Sequence, residues 1–437
     1  MRLCLVASKP TDSVIHGFLP AAARLGLEVL LLTDQPEAHE LARTRARQLP
    51  RPGCPRPGTA AGDSDEGDSD ESDGGAGDDP PVRLLGCDVW DARELIGAIA
   101  GLPAQHAVVS NSDHLQSQTA LAAAYFDLPG KDWRAALRAK DKFLMRRRLA
   151  EAGIEHVAAA EIRPGAAGPL PRGLRYPLVL KPAAGVASED VMLVTSPEEL
   201  AEQSARLSAR RPGETLLAEE YQPGQLRTLE TLGDGKTTWI LGGFRTALSP
   251  LPFFIEERLT WDAPVPAGAT DHVLAALGAL GGTFGACHTE YADGDRGAAL
   301  IEVNDRLIGD HCDFVLSDLL GVDLFELVLR VHLGEPLPAE PPRPCGGTGH
   351  AVIDYVVADR PGVLEAVPPA GPVPAGEPDV RLSYRSLRGA GDRIVVTHTN
   401  RDYLGVISAI GADAAAVERT VAAARAAGGW TISGASS

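Results

Sequence analysis

The opening of the chain constrains its fold more than any other stretch. Leu3 to Ala7 is a continuous apolar run, and Val14 to about Leu25 carries a helical pattern. Glu28-Val29-Leu30-Leu31-Leu32-Thr33 is a second apolar run. Short runs that are apolar at consecutive positions fit strands buried on both faces. Strand, helix, strand in that order predicts a parallel sheet with a right-handed crossover. No Gly-x-Gly-x-x-Gly follows the first strand, so a dinucleotide fingerprint is not supported.

With 437 residues, 44% of them hydrophobic, the chain is long enough for two to four structural units. The pattern breaks at about residues 51–81. Asp63, Asp65, Glu66, Asp68, Asp70, Glu71, Asp73, Asp78 and Asp79 lie there among Gly and Ser, with no basic residue between them. Such a segment buries too little apolar surface to offset its ordering entropy, and it reads as a disordered acidic insertion. An acidic docking segment is the alternative. The net charge of −18 argues against nucleic-acid binding through a basic surface. Much of that charge sits in the insertion, so an anionic substrate remains compatible with the rest. The six cysteines are scattered, without a CxxC pair, as expected of reduced thiols in a cytoplasmic protein. The N-terminal apolar run is too short for a signal peptide, and no stretch approaches a membrane span.

After the insertion, strands are predicted at Val82–Leu85 and His106–Ser110, with a helix over Gln116–Tyr125. One helical stretch covers Trp133–Glu151. Tyr176–Pro182 and Val191–Val194 read as strands, Glu198–Ala209 as a helix, and Thr215–Glu219 and Thr228–Leu232 as further strands. Leu274–Gly282 suggests a helix, Ala299–Asn304 a strand, and Asp318–Leu333 one long amphipathic helix. A small α+β tail follows Pro336-Leu337-Pro338. It has strands near Val352–Tyr355 and Arg393–Val396 and a helix over Ala414–Ala427.

The chemistry centres on Ile301-Glu302-Val303-Asn304-Asp305-Arg306. Residues two apart on a strand share a face, so Glu302 and Asn304 project together and Arg306 follows. A carboxylate and an amide oxygen are hard ligands suited to Mg2+, and an arginine fork suits phosphate or carboxylate. Gly285-Ala286-Cys287-His288-Thr289-Glu290 precedes this strand by a hairpin-sized interval with turn-forming Asp293-Gly294-Asp295 between. A hairpin would bring Glu290 near Glu302. Lys181 ends the apolar run Leu178-Val179-Leu180. A charge at the end of a buried strand is costly without an anionic partner, and a phosphate is such a partner. Lys142 opens a helix after Asp141.

Taken in order, these segments resemble the ATP-grasp superfamily, in particular its carboxylate–amine ligase branch with dipeptide-forming amino-acid ligases. The matching pieces are Asp141–Arg146, Tyr176–Pro182, Leu217–Gly224, Gly285–Glu290 and Ile301–Gly309, spanning about residues 100 to 335. The resemblance implies an α/β and α+β fold: an N-terminal Rossmann-like domain over residues 1–125 carrying the insertion, an ATP-grasp catalytic domain over 126–340, and a C-terminal α+β subdomain over 341–437. It also implies roles. Lys142 and Lys181 would hold ATP phosphates beneath a flexible loop, Gly185–Ser188, with Ser188 as a donor. Glu219, Glu220 and Tyr221 would form the adenine hinge, and Glu230 would take a later acidic position in the nucleotide site. Glu290, Glu302 and Asn304 would bind Mg2+ or Mn2+. Arg306 would stabilise an acyl phosphate, with His288 and Gly309 near the substrate.

Three features depart from the family pattern. The loop continues as Glu189-Asp190 where a glycine is usual, and acids beside phosphates are unfavourable unless they turn outward. Gly224-Gln225-Leu226-Arg227 lacks the acid common after the hinge. Asp305 stands where a proline is frequent. The resemblance implies an amide-forming ligase acting on a small carboxylic or amino acid and an amine, with a homodimer as the expected assembly and natural-product or siderophore biosynthesis as the analogous setting. The alternatives are a bicarbonate-activating carboxylase subunit and a non-catalytic ATP-binding module. The stretch Phe244–Pro264 is expected to shape the acceptor pocket through Arg245, Phe253, Phe254, Glu256 and Trp261.

Overall fold

A computed structural model describes residues 1–48, 82–163, 174–344 and 349–434; the acidic insertion, Cys54 and Cys345 lie outside these. The N-terminal part is the predicted parallel sheet. Its strands are β1 (Arg2–Val6), β2 (Glu28–Thr33), β3 (Val82–Gly86) and β4 (Ala107–Val109), in spatial order β3-β2-β1-β4. The crossover after β1 is a π-helical turn over Ser13–Phe18 running into α1 (Leu19–Arg24). Helices α2 (Pro36–Gln48) and α3 (Ala92–Ala100), which the sequence reading did not anticipate, follow β2 and β3. Helix α4 is Gln116–Tyr125, as predicted.

The expected single helix over Trp133–Glu151 is two: α5 (Trp133–Lys140) and α6 (Lys142–Glu151). The break is Asp141, which leaves the helical region (φ −95°, ψ 104°) and caps α6 by accepting from the Phe143 and Leu144 N–H groups. An antiparallel sheet of β5 (Ala159–Ile162), β6 (Leu178–Pro182), β7 (Met192–Val194) and β8 (Leu216–Glu220) comes next, in the order β5-β8-β6-β7. Helix α7 (Pro197–Arg210) covers it, capped by Ser196.

The largest sheet is antiparallel. It begins with β9 (Gln225–Asp234), β10 (Thr238–Gly242), β11 (Phe244–Leu248) and β12 (Glu256–Trp261). The region expected to shape the acceptor pocket therefore holds two strands, joined across residues 249–255. Helix α8 (Ala267–Leu280) leads into the hairpin β13 (Phe284–Gly294) and β14 (Gly297–Asn304). The long helix expected over Asp318–Leu333 is broken into α9 (Cys312–Leu320) and α10 (Leu324–His332). Gly321, at φ +65°, turns the chain, and Asp323 caps α10.

The C-terminal part adds β15 (His350–Val357), β16 (Gly362–Ala366), β17 (Gly371–Val373), β18 (Val380–Ser386), β19 (Arg393–Ile394), β20 (Tyr403–Gly411), α11 (Ala414–Ala427) and β21 (Thr431–Ile432). Its main strands continue the large sheet in the order β14-β13-β9-β11-β12-β15-β20-β18-β17. The tail and the hairpin thus share one hydrogen-bonded framework. The N-terminal part is locked onto it by a common apolar core: Phe18 packs edge-on against Phe325 of α10 with ring centroids 5.2 Å apart. No described helix is long and apolar enough to cross a membrane.

Candidate active site

Three neighbouring strands build the floor of the site. His288 on β13 lies opposite Asn304 on β14 and opposite Glu230 on β9, and Glu290 lies opposite Glu302. Because side chains alternate along strands, these five residues share one face. The His288 Nδ1 atom is 2.8 Å from Glu230 Oε1, and Nε2 is 3.4 Å from Glu290 Oε1. Burial alone would lower the imidazole pKa. The charges and hydrogen bonds of Glu230 and Glu290 outweigh burial and hold it at about 10, so His288 is an imidazolium at neutral pH.

Lys142 reaches this floor from the start of α6. Its Nζ lies 3.0 Å from Glu302 Oε1 and donates to the Gly185 carbonyl at 2.9 Å. One lysine therefore ties the acidic floor to the loop expected over the phosphates. The helix break at Asp141 is what aims it there.

Lys181 has a different setting. Its Nζ is 2.5 Å from Glu219 Oε1, and Arg146 Nε donates to the other Glu219 oxygen at 2.8 Å. Arg146 also donates to Glu155 at 2.7 Å, and His272 lies 3.0 Å from Glu155. Burial would raise the Glu219 pKa, but Arg146 and Lys181 outweigh it and hold the carboxyl at about 2. This departs from the adenine-hinge expectation. The Glu219 side chain is spent on two buried cations, and its backbone is paired to β5 and β6. Glu220 and Tyr221 are half-buried at the strand end, where their N–H groups donate to the Ala158 and Pro177 carbonyls, and the Tyr221 ring is 6.4 Å from Phe254.

The loop after Lys181 explains its own departure from the family pattern. Ala187, Ser188 and Asp190 all have positive φ, between 53° and 57°. The resulting path turns both acids outward onto arginines. Arg211 donates to Glu189 at 2.9 Å and to Asp190 at 2.5 Å, and Arg210 lies 2.7 Å from Asp190. Arg401, from the turn before β20, also pairs with Glu189, and the Asn400 N–H donates to the Ala187 carbonyl at 3.2 Å. The loop is thereby held by α7 on one side and by the C-terminal part on the other.

Arg306 is not a free fork. Its Nε and one terminal nitrogen each donate to Asp113 at 2.7 Å, and its other terminal nitrogen donates to the Leu307 carbonyl at 2.9 Å. Asp113 follows β4 in the N-terminal part. Burial would raise its pKa, but Arg306 outweighs this and lowers it. Asn111 in the same loop accepts from the Leu307 N–H at 3.2 Å. Asn304, with its amide nitrogen turned toward the acids, donates to Glu302 at 3.2 Å and to Asp113 at 3.1 Å. Gly309 lies beneath the Arg306 guanidinium.

Two of the expected pocket residues lie elsewhere. Trp261 is 5% exposed and packs edge-on against Phe244 in the core, and Arg245 is engaged by Asp262. Phe253 stacks on His398 at 4.2 Å. Glu256 does face the site. Asn400 holds its carboxylate at 3.2 Å and its backbone N–H at 3.1 Å. Burial, then the charge of Glu290, pushes the Glu256 carboxyl up to about 8.

Asp113, Arg146, Glu155 and Asn400 were missed from sequence. Asp113 alone carried a signal: it lies just past the C-terminal end of a parallel strand, where open α/β sheets place ligands.

Among the described residues, no three His, Cys, Asp or Glu side chains form a metal cage. The donors at the floor are the Glu290 and Glu302 carboxylates, and the Asn304 amide, which turns its nitrogen to Glu302, would join them through its oxygen only after rotating. That set fits an Mg2+ ion completed by phosphate oxygens and water rather than one enclosed by protein.

Comparison with solved structures gives matches along nearly the whole chain. An L-amino acid ligase from Bacillus licheniformis superposes with a TM-score of 0.74 at 20% identity, covering 99% of this chain and 98% of that one. Phosphoribosylglycinamide synthetase from Anaerococcus prevotii gives 0.67 at 13% identity, covering 99% of both chains. The chain has the ATP-grasp fold. A third ATP-grasp structure, biotin carboxylase from Campylobacter jejuni in complex with an ATP analogue, gives 0.64 at 17% identity over 99% of this chain and 92% of that one. No family model matches the sequence. An uncharacterised protein of Sinorhizobium fredii, y4rH, is 29% identical over 325 residues, which is 70% of this chain. The match spans 64% of that relative's length.

Proposed function

We propose that the chain is an ATP-dependent ligase that joins a small carboxylic or amino acid to an amine through an acyl phosphate, releasing ADP and phosphate. One observation carries the reading. Within an ATP-grasp fold, Glu290, Glu302 and Asn304 share one face of the β13–β14 hairpin, Lys142 reaches Glu302, and Asp113 joins Asn304 to Arg306. The ATP-grasp structures named above include an amino-acid ligase and a synthetase, which favours formation of a carbon–nitrogen bond.

A carboxylate does not react with an amine at neutral pH because oxide is a poor leaving group. Attack of a carboxylate oxygen on the ATP γ-phosphorus breaks the bond to ADP and gives an acyl phosphate. The amine nitrogen then attacks the carbonyl carbon, the bond to phosphate breaks, and the nitrogen gives up a proton. The protein's part is positioning and charge neutralisation. Lys142 and Lys181 bind phosphates, and Glu219 with Arg146 keeps the Lys181 ammonium fixed. The Gly185–Ser188 loop covers the phosphates while Glu189 and Asp190, which follow it, stay on arginines. Glu220 and Tyr221 line the adenine edge. Glu230 fixes the His288 ring, which adds positive charge beside the reacting centre. Mg2+ or Mn2+, held by Glu290, Glu302 and Asn304, would supply charge neutralisation between phosphate oxygens. Arg306 is preorganised by Asp113 to meet the developing charge of the acyl phosphate.

The test is ADP and phosphate release in the presence of paired small acids and amines, with mass spectrometry of the product. Release with bicarbonate alone, or none with any pair, would reject this reading.

A further inference from the structure

The parallel sheet has a topological switch point between β1 and β4. The chain moves outward from β1 through β2 to β3, then returns past β1 to lay down β4. Open α/β sheets bind ligands in the crevice at the carboxyl ends of strands on either side of such a point. Here those ends deliver Lys9, three residues past β1, and His114, five residues past β4. The loop after β3 adds Trp90. Its ring is 46% exposed, lies 5.5 Å from the His114 ring, and is fixed by an indole hydrogen bond to Asp34 at 3.0 Å.

Lys140 links this crevice to the candidate active site: its charge acts on His114, and its side chain borders Glu302 and Asn304. It is the last residue of α5 and lines a narrow cavity with Asp113, Gln116, Glu302 and Asn304. Among the described residues neither Lys140 nor Lys9 forms an ion pair, and neither side chain makes a hydrogen bond. Asp113, the acid beside Lys140, already has both oxygens on Arg306. The charges of Lys140, Lys9 and Arg401 all reach His114. Together with burial, which is the larger effect, they keep its imidazole neutral, held down to about 4. Two lysines with unspent donors thus continue outward from the Glu302–Arg306 centre, Lys140 in a cavity whose acids Asp113, Glu302 and Asp305 are already paired to Arg306, Lys142 and Lys131.

We propose that Lys140, Lys9 and His114 form a subsite for a second acidic group, carboxylate or phosphate, on the substrate whose carboxylate is activated beside Arg306. The inference rests on the ligase reading for what happens at Arg306, and it adds the class of acid: one with two anionic ends. Lys140 meets the remote anion from the active-site side and Lys9 from the sheet side. His114 offers a neutral N–H donor, and the Trp90 ring closes the outer wall.

The probes are succinate, glutarate and phosphoglycolate, set against propionate and butyrate, added to the full chain with Mg-ATP. Two readouts are followed: the fluorescence of Trp90, isolated by subtraction of Trp90→Phe, and ADP release with an amine panel. The diacids and the phosphate-bearing acid should shift Trp90 fluorescence saturably, at least tenfold more tightly than the monoacids. Whichever of the two classes binds tighter identifies the remote group. Lys140→Ala should raise KM for the acid tenfold or more and leave KM for ATP within twofold, and Lys140→Arg should restore most of the loss. Lys9→Ala should act the same way with a smaller change, and equal melting temperatures show that the variants are folded. Equal binding of mono- and dianionic acids would overturn the subsite. So would a Lys140→Ala defect confined to KM for ATP. The two readings separate cleanly. Discrimination in fluorescence without turnover for any acid–amine pair supports the subsite and sinks the ligase reading. Turnover that is indifferent to Lys140 and to the second acidic group does the reverse.

Discussion

Two buried charge clusters lie a short way apart, and they are built on opposite plans. Around Glu219 both carboxylate oxygens are answered: Lys181 and Arg146 hold them, and Arg146 continues to Glu155 and through it to His272. Around Glu302 the acids outnumber their partners. Lys142 meets one oxygen of Glu302, while Glu290 has only a 3.4 Å contact with His288, and Glu256 stands nearby with a raised pKa. The first cluster resembles a structural network, in which loss of one partner leaves an uncompensated charge. The second resembles a site that still has charge to neutralise. Stability should therefore dominate at the first cluster, where Lys181 is its link to the phosphates, and activity at the second.

The largest effect should fall on activity at the second cluster. Glu302→Gln is expected to lower ADP formation by about 10³-fold, comparable to losing one preorganised electrostatic element, with the denaturant midpoint little changed. Equal loss of stability and activity would erase the contrast. At the first cluster the order reverses. Glu219→Gln should cost about 3–5 kcal/mol of stability in denaturant unfolding, because Lys181 and Arg146 lose their shared anion in the interior. Its pH dependence sharpens the assignment. The folded Glu219 carboxyl titrates near 2, below the ordinary 4.5. Its stabilising contribution is thus fully present above pH 4.5 and is lost as pH falls from there through 2. The difference in stability between wild type and Glu219→Gln should shrink over that window, read by unfolding at successive pH values.

Much of this division was legible in the sequence, for physical reasons that differ by region. Alternation and a turn signal were enough to bring Glu290, Glu302 and Asn304 to one face, because a hairpin is local. The parallel opening was equally local in its apolar runs. Arg306 and Asp113 are 193 positions apart, and their pairing depends on how the N-terminal sheet docks through Phe18 and Phe325, which no local pattern encodes. The strands Phe244–Leu248 and Glu256–Trp261 were masked by the Pro250 and Pro252 turn between them, although Phe244-Arg245-Thr246-Ala247 does alternate buried and exposed. In both long helices a capping aspartate, Asp141 or Asp323, inside an apolar period looks like a surface position, and in the second Gly321 also breaks the helix.

A smaller effect tests the link between the N-terminal sheet and the second cluster. Asp113→Asn should leave Arg306 with a weaker, neutral partner and lower kcat about tenfold, with KM for ATP nearly unchanged. A rise in KM for ATP alone would assign Asp113 to nucleotide binding instead. Smaller still is the loop. Arg401→Ala removes one of the arginines on Glu189, while Arg211 remains. Exposed pairs of this kind contribute about 0–1 kcal/mol, so a change of roughly threefold in KM for ATP is expected, vanishing at high salt.

The central claim is that the unfinished cluster on β13–β14 performs ATP-driven amide formation. The most direct measurement is ADP release by the full chain with Mg-ATP, an acid and an amine, followed by mass spectrometry of the product. The account predicts release that requires both substrates, a product mass equal to their sum less water, and loss of both signals in Glu302→Gln. Release that needs no amine, or a Glu302→Gln variant as active as wild type, would contradict it.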